Sequence, residues 1–120
     1  MKTFLVILML IFFGCKNSKS IRVHYYSMPL DIETYIAITH QNIEEHSLKE
    51  GSFYLDDATY KKILTLRKNT NCTFDKYKVR AKFVFNKEIV FLDQKGNLKY
   101  DNFIICSKSS IAVYFKNKIY

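Results

Sequence analysis

Apolar and polar residues alternate most regularly over residues 76–86, where Tyr77, Val79, Ala81, Phe83 and Phe85 fall on one side and Lys76, Lys78, Arg80 and Lys82 on the other. Neighbouring strand side chains point to opposite faces of a sheet, so this pattern predicts a strand with one face on a core and one in water. Residues 21–28 alternate in the same way, with Ile21, Val23 and Tyr25 against Arg22, His24 and Tyr26, and Pro29 ends the run. Shorter apolar runs predict further strands at 35–39, 88–93, 98–100, 103–106 and 111–115. Between two of them, Asp93-Gln94-Lys95-Gly96-Asn97 reads as a hairpin turn in which Gly96 supplies the left-handed conformation. The acidic positions that a calcium loop would add are missing, since residue 95 is Lys and no Glu closes the loop.

The helical period is clearest after Asp56. Asp56 is placed to cap, Asp57 suits the positive amino end, and Tyr60, Ile63, Leu64 and Arg67 share a face. Leu55 and Tyr60 have the spacing of a hydrophobic staple, and Lys61, Lys62 and Lys68 are left to solvent or the carboxyl end. Residues 39–50, with Glu44 and Glu45 and no strand alternation, predict a second, short helix. The whole reads as a small α+β domain over residues 21–120, an antiparallel sheet of six or seven short strands with one or two helices packed on it.

Composition agrees with that picture. One Pro, three Gly and no Trp, beside nine Tyr and ten Phe, favour pleated, aromatic-rich strands over low-complexity tracts. An apolar fraction of 48% in 120 residues fits one small globular core and excludes disorder.

The amino terminus follows another logic. Lys2 precedes an uninterrupted apolar run, residues 4–13 (FLVILMLIFF), then Gly14 and Cys15, in the order of a secretory signal. As a helix this run spans about 15 Å, half of a hydrocarbon core of roughly 30 Å, too short for a permanent crossing.

Ile11-Phe12-Phe13-Gly14-Cys15 resembles the lipobox of bacterial lipoproteins, with a small residue before the cysteine and aromatics where Leu and a smaller residue are usual. The resemblance covers residues 1–15 only. It implies that residues 1–14 are removed and that Cys15 becomes a lipidated first residue anchored in the membrane. Lys16 rather than Asp after the cysteine implies transfer to the outer membrane, facing either the periplasm or the cell surface. Residues 16–20 are polar and read as a short tether. The alternative is an ordinary cleaved signal without lipid.

With Cys15 assigned to lipid, Cys72 and Cys106 form an even remainder in an exported chain. They are expected to pair, the alternative being two thiols with Cys106 as a small core residue. Closing the 35-residue loop would stabilise the fold by up to about 3.8 kcal/mol in the chain-entropy picture. Neither cysteine has a partner at metal spacing, and His24, His40 and His46 are too dispersed to suggest a ligand set, so no metal or cofactor is expected.

The chain carries 19 Lys and Arg against 11 Asp and Glu. The row Lys76, Lys78, Arg80 and Lys82, four cations along about 20 Å of strand, would attract an acidic protein, lipid phosphate or another polyanion. It would equally serve as a solvated face that keeps the sheet from aggregating. Export argues against nucleic acid. Tyrosine beside lysine suits a binding surface, and His24 with Tyr26 joins the row as its candidate residues. No nucleophile elbow and no phosphate loop occurs, so the expected function is a lipid-anchored, non-catalytic module that binds a macromolecule. An immunity lipoprotein neutralising a secreted toxin is a sharper form of that reading. A small envelope hydrolase using His24 or His40 and a subunit stabilising an outer-membrane assembly are its rivals. Lipidation has a direct check: a metabolic fatty-acid probe should label the protein and fail to label Cys15→Ser, and equal label on both would refute it.

Overall fold

The computed structural model describes residues 20–66 and 71–120. Its elements in chain order are β1 (Ile21–Ser27), α1 (Ile43–His46), β2 (Lys49–Leu55), α2 (Asp57–Leu64), β3 (Val79–Phe85), β4 (Glu88–Asp93), β5 (Leu98–Tyr100), β6 (Phe103–Ile105) and α3 (Ser110–Ile119). The strands form one antiparallel sheet in the order β2-β1-β3-β4-β5-β6, so the chain is α+β as its pattern predicts. Cys15 and the segment before it, like Arg67 and Lys68, lie outside the described residues. Among the described residues no helix is long and apolar enough to cross a membrane.

From β3 to β6 the strands meander, each pairing with the next through a tight connection. Asn86 and Lys87 both take left-handed backbone, φ 45° and 66°, in the two-residue loop between β3 and β4, as a turn matched to strand twist requires. Gly96 does the same at φ 88° between β4 and β5. There the buried Asp93 carboxylate accepts from the backbone N–H groups of Lys95, Asn97 and Asp75 at 2.9–3.0 Å, so its oxygens close a turn and hold the 73–75 segment against it. Asn97 extends the tie, donating to Thr73 O and accepting from Ser107 N. The sulfurs of Cys72 and Cys106 stand at disulfide distance between the same two segments, with Cα atoms 5.8 Å apart.

One face of the sheet is sealed. Val23, Tyr25, Ala81, Phe83, Phe85, Val90, Leu92 and Leu98 point into a core closed by Ile63 of α2 and by Ile111, Ala112, Phe115 and Ile119 of α3. Phe115 is its centre, 4.8 Å from the Phe83 ring in an edge contact and stacked on Phe85 at 6.1 Å. Tyr25 lies across Gly51 on β2, where a Cβ would stand 2.8 Å from the tyrosine hydroxyl, so any larger residue there would have to displace that ring. Asp56 caps α2 as its sequence suggests, accepting from Thr59 N at 2.7 Å, and that bond holds its carboxyl below the usual value. Tyr60 and Ile63 pack inward, while Leu64 stays exposed.

Four expectations need correction. The 111–115 run belongs to helix α3, not to a strand: Ser109 accepts from Ile111 N to start it, and Ile111, Ala112, Phe115 and Ile119 recur at helical spacing. The 39–50 helix shrinks to Ile43–His46, because from Lys49 the chain pairs with β1, with Ser27 opposite Lys49 and Ile21 opposite Leu55. The 35–39 strand reduces to a single parallel bridge, Ile38 to Lys78, since this stretch crosses the second face instead of joining an edge. The fourth correction concerns the cationic row. Register slips between Val79 and Ala81, and the extra residue in this bulge is Arg80, which is 1% exposed.

The bulge turns the Arg80 guanidinium under the crossing segment. Its Nη1 donates to Val79 O at 3.1 Å and its Nη2 to Ile32 O at 2.9 Å. Around it Met28, Ile38, Ile43 and Val79, with Ile32, Phe74 and Phe91, form a second, smaller core beneath residues 28–46. The Tyr120 hydroxyl donates to Met28 O beside it, and burial pushes its pKa well above that of a free phenol. Among the described residues both cores lie between Ile21 and Ile119, so a chain that starts after residue 15 retains every residue assigned to them.

Removing a buried cation that donates to two carbonyls takes a donor from each, leaving Ile32 O only the longer bond from Gln94 Nε2 at 3.5 Å, and opens a cavity. Arg80→Ala should therefore lower unfolding free energy in urea by about 3 kcal/mol. Lys78→Ala, at an exposed neighbour, should change it by no more than about 0.5 kcal/mol. Equal effects would contradict the assignment of Arg80 to the interior.

Candidate binding surface

The sheet's second face is only partly covered. Over β1 and β2 it presents Arg22, His24 and Tyr26 beside Tyr54, Ser52 and Glu50, in direct cross-strand register. His24 Nε2 meets Glu50 Oε1 at 2.7 Å, and its ring stands edge-on to Tyr26 with centroids 5.0 Å apart. The Ser52 hydroxyl accepts from Arg22 rather than from His24, at 3.3 Å. Tyr26 then faces Lys82 on β3, whose ammonium pairs with Glu44 of α1 at 2.8 Å and is mostly shielded.

The six residues expected to form one surface therefore separate. His24, Tyr26 and Lys82 do share the second face. Arg80 leaves it for the interior, because the bulge interrupts the alternation that would have kept it outside. Lys76 and Lys78 lie in the turn before β3, and both are exposed. Lys76 covers its neighbour Tyr77, with the ammonium 5.2 Å from the ring centroid.

Residues that periodicity does not mark complete the surface. Thr39, His40, Gln41, Lys76, Tyr77 and Lys99 line a concavity of about 360 Å³ where the crossing segment, the 76–77 turn and β5 meet. His40 forms one wall, its ring stacked on Phe91 at 4.1 Å. A second depression continues past His40 and Lys99 to Ile89, Phe91 and Asp101. Burial first, and the Lys99 charge second, hold the His40 pKa below 6.5, so its imidazole is neutral near pH 7. Its Nε2 is buried and has no hydrogen-bond partner among the described residues.

The crossing segment has its own character. Residues 28–48 contain Asp31, Glu33, Glu44 and Glu45 and not one Lys or Arg, in a chain with 19 such cations. At its outermost point Tyr35 is fully exposed and Ile36 is 53% exposed. The loop that carries them is pinned on both sides. Arg80 holds Ile32 O, Gln94 donates to Glu33 Oε1 at 3.3 Å, and Ile38 is bonded to Tyr77 O and Val79 N. The Thr34 hydroxyl closes the tip by donating to Ile36 O at 2.6 Å.

No group of three or more His, Cys, Asp or Glu is arranged to hold a metal ion among the described residues. No family model, no curated protein and no solved structure matches the chain.

His40 gives this surface a pH dependence. Its folded pKa lies below 6.5, so the unfolded chain takes up a proton first as pH falls. The associated stability is complete above pH 6.5 and is lost as pH drops from there through the lower folded value. Urea unfolding followed across that window should show a smaller slope for His40→Gln than for wild type; identical slopes would show that the imidazole is not held neutral.

Proposed function

We propose that this chain is a lipid-anchored, non-catalytic binding module of the bacterial cell envelope, fixed by Cys15, probing with the second face of its sheet for a protein partner. The reading is carried by one observation above all, the exposed Tyr35-Ile36 tip on a loop fastened at both sides. An aromatic and an aliphatic side chain held out to solvent cost little further ordering on binding, which is how a few residues come to dominate an interface. The tip stands near the ends of β1 and β4 marked by Ser27 and Gln94, whereas a tether would enter at Ile21, the other end of β1. A domain held by that tether would carry the tip away from its own membrane. The exposed lysines add attraction to an acidic partner at a range of about 8 Å at physiological salt.

Residues 16–120, oxidised and tagged, should retain one envelope protein through physiological salt, in near-equal amount. Tyr35→Ser with Ile36→Ser should cut that retention at least about tenfold. Retention of polyanions only, or of nothing, would refute the reading. A small hydrolase is the second reading, favoured by the contact between His24 and Glu50 at 2.7 Å. It requires that His24→Ala abolish the cellular role, and a role unaffected by that substitution would end it.

A further inference from the structure

The concavity between the crossing segment and β5 is lined by cations and no acid, the nearest carboxylate past Lys99 being Asp101 in the adjoining depression. Of its six lining residues two are lysines, Lys76 and Lys99, and none is a carboxylate. Among the described lysines only Lys61, with Asp57, and Lys82, with Glu44, are in an ion pair, and what distinguishes Lys76 and Lys99 is that they line one concavity. Lys76 and Lys99 have no such partner among the described residues. A third lysine, Lys95, lines the adjoining depression beside Lys76 and Tyr77. The one acid there, Asp75, accepts from Tyr77 N at 3.1 Å.

The walls indicate more than a bare ion. Tyr77 on one side and His40 on the other present ring surfaces, and Thr39 and Gln41 add polar groups between them. A volume of about 360 Å³ is far above the share of one water, roughly 30 Å³, so a charged group can enter with the organic part that bears it. Two ammonium groups lining one site match a dianion better than a monoanion, because each can make a charge-assisted hydrogen bond to a different oxygen.

We propose that this concavity binds a soluble phosphate monoester, its phosphate held between Lys76 and Lys99 and its organic part against the Tyr77 and His40 rings. His40 reports on occupancy through Lys99 as well as through its own contact with the organic part. Lys99 acts on its imidazole through space, so an anion bound at Lys99 cancels part of that field.

The test is an NMR titration of residues 16–120, oxidised, in chloride buffer of matched ionic strength. Glycerol phosphate should move the amides of Gln41, Tyr77 and Lys99 along one saturable curve and raise the pH midpoint of the His40 ring signals. Lys76→Gln and Lys99→Gln should each weaken binding about tenfold while leaving thermal unfolding unchanged. Lys99→Gln should also raise the ligand-free His40 midpoint. Inorganic phosphate should bind at the same residues more weakly, since it lacks the organic part. Non-saturating shifts, or equal shifts with acetate, would overturn the proposal and leave only diffuse attraction. Shifts seen with short-chain phosphatidylglycerol but not with glycerol phosphate would overturn it in favour of a lipid headgroup. Unchanged affinity in both lysine variants would remove the assigned residues.

Discussion

The buried guanidinium of Arg80 is the contact on which the second side of this molecule depends. A cation in an apolar setting is costly unless its hydrogen-bonding groups are satisfied. Here two carbonyls on different segments, Val79 O in the bulge and Ile32 O in the crossing, take its Nη1 and Nη2, while its buried Nε has no partner among the described residues. Those bonds fasten residues 28–46 to the sheet where their apolar content alone is modest, a handful of residues around Ile38 and Ile43. The fixed crossing then supplies the Tyr35-Ile36 tip and the Thr39 to Gln41 wall of the cationic concavity. A single register slip in β3 thus reaches the tip and the concavity, while the row of Arg22, His24 and Tyr26 is set by the pairing of β1 with β2.

The two sides divide the work of folding and presentation. The helix-covered side is aromatic and continuous, with Phe53, Phe83, Phe85 and Phe115 in mutual ring contact, and resembles an ordinary α+β interior. The other side is held by polar devices: a buried arginine, the Asp93 and Asn97 turn, and the Cys72–Cys106 link beside it. Tyr100 belongs to the same style at the sheet's far end, donating to Glu88 at 2.8 Å, with burial and that bond lifting its pKa to about 12. Directional bonds of this kind fix loops in place, which a small apolar cluster does less well.

Much of the sheet was legible because strand alternation is local. The β1 face, the β3 face from Ala81 onward, the Asp56 cap, the Gly96 turn and the cysteine pair all follow from residues close together in the chain or from counting, whereas Tyr77 is exposed and Val79, before the bulge, joins the second core. What escaped has one physical cause. Residues 111–115 are a continuous apolar run that passes for a strand, and the helical period emerges only when Ile119 is included. β2 was hidden because Gly51 and the charges at Lys49 and Glu50 blur its pattern, and only pairing with β1 makes it a strand. The bulge at Arg80 leaves no trace in a run where every second residue is a cation, so the site residues assigned by alternation included one that is interior. His40, Lys76 and Lys99 converge from three separate segments, a proximity that no local spacing encodes.

The acidic crossing embedded in a basic chain has an electrical consequence. Four of the eleven carboxylates collect over residues 28–48, a stretch without Lys or Arg, so charge is distributed unevenly along the domain. Near a negatively charged surface such a body feels a torque in addition to attraction. Orientation would then be set before any contact forms, and added salt would randomise it over the same range in which it screens the charge.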